Sequence, residues 1–338
     1  MGFERIVGHD RPVRVLRHAM AGDRIPGAYL FSGPEGVGKY TTALAFVAAL
    51  NCPDNAGGAC GTCKSCRMIL SEKHPDLFIP DRSGSRLPKN PPAAGGKERV
   101  ASGYISEIVP KLTYKPIMGR WKVILIDNAH QLTETAANYL LKIMEEPPSQ
   151  TLFLLVTPAE HLLLPTVVSR CQRIRFSPLL EEQVVRILVD REVDAAVAAR
   201  AAALSDGSVG KAHSLIAQGR VDGLAGWMDL VRGLGRMSPA DRLRNVAALL
   251  SSTGGKGGDR AGLEQFIAAT RAWLEVRLRD LAAANGPDRV EQEKLLSIFS
   301  TLRDIGASAR GNANPKLLAD HLAGRLAENS GAPATGAG

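Results

Sequence analysis

Residues 33–40 read Gly33-Pro34-Glu35-Gly36-Val37-Gly38-Lys39-Tyr40, preceded by an apolar run, Ala28-Tyr29-Leu30-Phe31, and followed by a helix-like run, Thr41 to Leu50. A strand, a glycine-rich turn, a lysine and a helix in that order form the phosphate-cradling P-loop, G-x-x-x-x-G-K-[ST], matched here at every fixed position but the last. Gly33, Gly36 and Gly38 let successive backbone N–H groups turn toward an anion, and Lys39 has the reach for β- and γ-phosphates. The last position normally supplies a hydroxyl to magnesium. Tyr40 stands there instead, its phenol too long for that role, and Thr41 is one residue out of register. The stretch predicts a nucleotide-type fold and withholds a group that hydrolysis needs.

Outward from the loop, further strand runs appear at Asp76–Ile79, Lys122–Asp127, Thr151–Val156 and Arg173–Phe176, with helices at Asp10–Met20, Tyr104–Leu112 and Thr135–Met144. Strands alternating with helices predict a parallel α/β sheet whose ligands lie at the strands' carboxyl ends. In the first helix Val15, Leu16, Ala19 and Met20 supply the apolar face. The run ending at Asp127 has the form of a Walker B strand, whose acid assists magnesium. An active ATPase carries a glutamate next to polarise water. Here the residue is Asn128, whose neutral amide cannot act as a base. Asp127 as a simple cap of the following turn is the alternative reading.

Cys52, Cys60, Cys63 and Cys66 follow the P-loop helix in the pattern C-x7-C-x2-C-x2-C, leaving only Cys171 of the five cysteines elsewhere. Reduced thiols clustered at this spacing predict a closed tetrahedral site for structural zinc, with a redox pair or chance thiols as the alternative. From about Pro80 to Gly103 apolar residues nearly vanish, which predicts a long exposed insertion; its five basic residues between Arg82 and Arg99 touch DNA or simply face solvent. After Pro178 no strand pattern appears. Helices are predicted at Glu181–Arg191, Ala195–Leu204, Gly210–Gln218, Leu224–Leu234, Pro239–Leu250, Ala261–Ala284 and Glu291–Ala309, with a last one opening at Asn314-Pro315. Gly254–Gly258 reads as an interhelical loop and Ser330–Gly338 as a frayed tail.

The 338 residues allow two or three domains, with 45% hydrophobic and 22% charged residues in the range of globular proteins. No apolar run is long enough to span a bilayer, and Met1–Arg5 lacks the layout of a signal peptide, so the expected place is the cytoplasm. The net charge of +8, from 42 basic and 34 acidic residues, suits work beside nucleic acid without requiring it.

Taken together, Ala28–Lys39, the four cysteines, Asn138-Tyr139-Leu140-Leu141-Lys142-Ile143-Met144-Glu145-Glu146-Pro147-Pro148, Ser169-Arg170-Cys171 and Asn312-Ala313-Asn314-Pro315 resemble the clamp-loader δ′ subunits of bacterial DNA polymerase III, a family of AAA+ proteins. The resemblance implies an AAA+ P-loop domain at 1–178, with the zinc module at 52–66 and the insertion at 80–103. It also implies a helical lid at 179–221, an all-α collar at 222–330 and a tail at 331–338. It further implies a ring with τ/γ and δ subunits that loads the β sliding clamp onto primed DNA, as part of a nucleotidyltransferase, the DNA-directed DNA polymerase of replication at the nucleoid. In such a ring the SRC arginine, Arg170, serves as a finger in a neighbour's ATP site; an intrachain ion pair is the alternative.

The related τ/γ subunits hydrolyse ATP and carry a complete P-loop, an acid after the Walker B aspartate and an arginine in the lid's G-S-x-R signature. This chain has Tyr40, Asn128 and, in Gly207-Ser208-Val209-Gly210, a glycine in the arginine's place. The three departures imply a non-hydrolysing subunit with weak or absent ATP binding. An active τ/γ-like ATPase and a zinc-dependent nucleic-acid-binding module acting without a ring remain the competing readings.

Overall fold

The structure, a computed structural model, describes residues 2–54, 58–80, 112, 114–252, 258–283, 289–309 and 313–329. Most of the expected insertion, nearly all of the expected Tyr104–Leu112 helix, residues 253–257 and the tail lie outside the described residues. The chain divides into two compact units, Met1–Arg191 with Gly207–Lys211, and Glu192–Asp206 with Ala212–Gly338.

The first unit is built on five strands: β1 (Ala28–Ser32), β2 (Leu77–Phe78), β3 (Lys122–Ile126), β4 (Thr151–Thr157) and β5 (Gln172–Arg175). Their order is β2-β3-β4-β1-β5 and every ladder is parallel. β1, β3 and β4 are buried at every residue, as expected of a parallel sheet covered on both faces. Alternation along the strands divides the core. Tyr29, Phe31, Val123, Leu125, Leu152, Leu154 and Val156 meet helix α2 (Lys39–Leu50), with α1 (Asp10–Ala21) and α3 (Lys64–Leu70) on the same side. Ala28, Leu30, Ile124, Ile126, Phe153 and Leu155 meet α4 (Glu134–Glu145) and α5 (Pro165–Ser169) on the other. Thr133 caps α4 by accepting from the Ala136 N–H, and Pro147 and Pro148 follow its end. Helix α6 (Glu181–Val189) closes the continuous part of the unit.

The expected face of α1 meets the core: Leu16 is fully buried, and Val15 and Met20 are half-buried and packed against the same cluster. The face begins a turn earlier than expected, since Pro12 and Val13 are buried as well.

The second unit is helical throughout its described residues: α7 (Ala195–Ala203), most of α8 (Val209–Ala217), α9 (Val221–Gly233), α10 (Pro239–Ser252), α11 (Gly258–Ala283), α12 (Arg289–Ala309) and α13 (Pro315–Asn329). Trp227 stacks on Phe266 with ring centroids 4.6 Å apart, and Leu263, Leu295, Ile298, Leu322 and Leu326 are buried. No helix among the described residues is long and apolar enough to cross a membrane.

Candidate functional site

The P-loop joins β1 to α2, and its glycines take the backbone shapes that the motif requires. Gly33, Gly36 and Gly38 all have positive φ, at 144°, 72° and 105°. A Cβ on Gly33 would stand 2.2 Å from the Phe176 carbonyl oxygen, so only glycine fits there. Lys39 is buried at 5% exposure and its Nζ donates to the carbonyls of Gly33 at 2.7 Å and Pro34 at 2.5 Å. Burial lowers its pKa, opposed by Asp127 and Glu35. The ammonium is therefore committed to the loop's own backbone.

The loop's apex is also engaged. The Gly210 N–H donates to the Gly36 carbonyl at 3.0 Å, and the Cα of Gly210 would lie 3.0 Å from a Cβ on Gly36. Both glycines belong to the first unit. Reading the sequence identified Gly210 as a missing arginine but could not foresee the contact its bareness permits. Beneath the loop, His9 donates from Nε2 to the Val37 carbonyl at 2.7 Å and sets its ring edgewise on Phe176.

Tyr40, in the magnesium-ligand position, points elsewhere: its hydroxyl donates to Glu72 at 2.8 Å, just beyond α3. Thr41 is half-buried in the first turn of α2, while the next residue, Thr42, is buried and returns its hydroxyl to the Gly38 carbonyl at 2.9 Å. Asp127 ends β3 on the same rim, accepting at 2.9 Å from the N–H of Asn128, itself in the left-handed region at φ 49°.

The four cysteines expected at a metal come together. Their sulfurs all lie within 4.8 Å of one another, with Cys60 Sγ 4.0 Å from Cys66 Sγ. A tetrahedral ion with metal–sulfur bonds of about 2.3 Å sets its sulfurs about 3.8 Å apart, so this cluster could hold a metal after a small contraction. Backbone N–H groups already point at the sulfurs: Cys60 to Cys52, Cys63 to Cys60 and Cys66 to Cys63, at 3.3–3.4 Å. The Cys63 amide, with Thr62, holds the exposed Cys60 thiol down to about 6, whereas burial pushes Cys66 up to about 12 and raises Cys52. A bound cation would stabilise the thiolates that burial opposes. Cys171 lies apart, its thiol raised to about 12 by burial, and packs on the far core as an anchor.

Asp76 was not singled out by sequence, yet it ties this region together. Its buried carboxylate accepts from the N–H groups of Ile117, Met118 and Gly119 at 2.6–2.8 Å. His74 accepts at Nδ1 from the Asp76 N–H, so its Nε2 carries the proton and donates to Ser65 Oγ at 3.1 Å. A serine nucleophile needs the opposite arrangement, in which the imidazole accepts from the hydroxyl. All three side chains are buried. Ser65, His74 and Asp76 are a structural brace. Asp76→Asn leaves at least one of those amides unpaired and is expected to cost roughly 1–3 kcal/mol in urea unfolding.

Burial also lowers the pKa of both His9 and His74 below 6.5. The unfolded chain then takes up protons near pH 6.5 that the folded chain refuses until lower pH. Stability is expected to be full above about pH 6.5 and to fall below it, by up to about 1.4 kcal/mol per pH unit for each group. Denaturant titrations at several pH values read this directly; His74→Gln should flatten the slope.

Arg170 caps the C-terminal end of α5, with a side-chain exposure of 36%. Its guanidinium donates to the Thr166 carbonyl at 3.1 Å and to Glu145 Oε1 at 2.6 Å. The intrachain pair held open by the sequence therefore exists, though Glu145 is itself 54% exposed. Among the described residues Arg170 does not bond to the P-loop of its own chain. It stands on the surface beside Cys171, which is half-buried and packs against the core.

Comparison with known proteins follows these features. The family model described as DNA polymerase III, delta subunit, matches residues 8–180. The chain is similar to the tau/gamma subunit of Haemophilus influenzae, 34% identical over 183 residues, covering 54% of this chain and 25% of that protein. It is similar to the delta' subunit of Bacillus subtilis, 31% identical over 183 residues, covering 54% of this chain and 52% of that protein. The chain thus spans about half of the latter's length and a quarter of the former's. A solved structure of a gamma subunit-related protein from Thermotoga maritima aligns over 94% of this chain and 99% of that chain, at 18% identity and a TM-score of 0.41. The family match takes in the loop, the cysteine cluster and the exposed arginine across more than half of the chain, and this protein belongs to the DNA polymerase III delta-subunit family.

Proposed function

We propose that this chain is a δ′-type, non-hydrolysing subunit of a DNA polymerase III clamp loader, and that it lends Arg170 to the ATP site of a neighbouring subunit. The observation that carries the reading is the contact between Gly36 and Gly210. A Cβ at Gly210 would meet the Gly36 Cα at 2.9 Å, so the arginine of a hydrolysing relative has no room unless the loop opens. Lys39 bound to its own loop and Tyr40 turned to Glu72 support the same conclusion.

In this reading residues 1–178 form the AAA+ domain, 179–221 the lid and 222–330 the collar of a hetero-pentamer with τ/γ and δ subunits. The ring acts on the β sliding clamp and primed DNA, in the cytoplasm at the nucleoid. The four thiolates hold structural zinc; their donor set, all sulfur with no oxygen ligand, suits that ion.

The competing τ/γ-like ATPase draws support from Lys39 and Asp127, which are both intact and electrostatically linked. Steady-state kinetics separate the two. The isolated chain is expected to show neither magnesium-dependent ATP turnover nor saturable binding of a fluorescent ATP analogue up to about 1 mM, the upper range of ordinary KM values. Sustained turnover would replace the first reading by the second.

A further inference from the structure

Strand β5 is the terminal strand of the sheet and pairs only with β1, so its outer backbone edge has no strand partner among the described residues. Beside the start of that edge, α1 and the turn after it enclose an open cavity of about 530 Å³. Val15 and Ala19 give the cavity an apolar floor, and Arg14, His18, Arg24 and Gln172 form its rim. No carboxylate lines it. Arg14 and Arg24 are exposed and engaged in no ion pair among the described residues, whereas nearby Asp23 is held by Arg120 at 2.8 Å. On the other face of β5, Arg173 and Arg175 are exposed as well, Arg173 being paired with Glu160 at 3.2 Å.

From this juxtaposition we infer that the β5 edge and the α1 cavity form a docking site for an extended acidic segment of a partner protein, bound by strand addition. A free edge offers N–H and C=O groups in the spacing that only another peptide backbone can match. The cations around it repel a second copy of the same edge and attract carboxylates. Val15 and Ala19, half-buried and facing the cavity, receive the apolar side chains that alternate with those carboxylates. A nucleic-acid strand would satisfy the arginines but leave the backbone edge and the apolar floor without partners. The site is independent of the P-loop and of Arg170.

Fluorescence anisotropy on the full chain tests it with a labelled decapeptide alternating glutamate and valine, against its lysine–valine counterpart and a labelled oligothymidylate. Saturable binding of the acidic peptide is expected, weakened about tenfold or more by Arg14→Glu and by Arg24→Glu. Arg11→Glu, exposed on the same helix but outside the cavity, should leave it unchanged. Hydrogen exchange on the unaltered protein supplies a second readout: the acidic peptide should slow exchange at residues 172–175. The proposal fails if the acidic peptide does not saturate, if the lysine peptide or oligothymidylate binds as well, if Arg11→Glu weakens binding equally, or if exchange along β5 does not change.

Discussion

Arg170→Ala is expected to lower ATP turnover at the one neighbouring site it serves by about 10³-fold or more, read in a reconstituted complex whose other ATP sites are inactivated, while changing the stability of the isolated chain by less than about 1 kcal/mol. The two effects separate because the side chain does little for its own fold. Its pairing with Glu145 is exposed to water on both sides, and its other hydrogen bond among the described residues goes to the Thr166 carbonyl. In a neighbour's site the same guanidinium would meet charge developing on a γ-phosphate away from bulk water, where a planar donor fork is worth far more. Arg170→Lys keeps the charge but not the fork and should recover only part of the loss. Glu145→Gln frees the arginine and should not reduce the rate. A complex that turns over normally with Arg170→Ala would show that the surface pair is all this residue does.

Cys66→Ser is expected to abolish stoichiometric zinc and to lower the melting temperature of the first unit, with proteolysis appearing within 52–66. Structural zinc supplies roughly 10–16 kcal/mol of apparent binding free energy in small peptides, part of which the surrounding sheet replaces here. Cys66 is fully buried against the P-loop helix, near the Ala48 carbonyl, so serine would also place an ill-matched hydroxyl in the core. Cys60→Ser, at an exposed position, should weaken metal binding with a smaller loss of stability. Zinc analysis, cobalt charge-transfer absorption and thermal melts distinguish the pair. A metal-free protein that melts where the native one does would reduce the cysteines to bystanders.

Much of this architecture is legible in the residues because the signals are local. Apolar runs bounded by glycine and proline mark β1, β3 and β4, and cysteine spacing alone brings out the cluster of four sulfurs. The helical half follows from periodicity, with starts and stops displaced by a few residues. What escaped is either short or distant. Helix α3 is seven residues long and is capped by Cys63, a residue outside the usual capping set. Asp76 reaches amides 41–43 positions away, and no pattern in either stretch announces the match. His9 under Val37 and Gly210 over Gly36 are likewise products of tertiary approach. The extension of the α1 face back to Pro12 has a local cause, since a proline in the first turn can bury its ring without disturbing the helix.

Helix α2 begins at Lys39 and ends one residue before Asn51 and Cys52. It is a rod about 18 Å long at 1.5 Å per residue, with the anion cradle mounted on one tip and the sulfur cage on the other. At the cradle end Tyr40 also bonds to Glu72, just past the end of α3, whose start carries Cys63 and Cys66. With zinc in the cage, as proposed, stripping it with a chelator would be felt as a loosening of the cradle, through mechanical continuity alone.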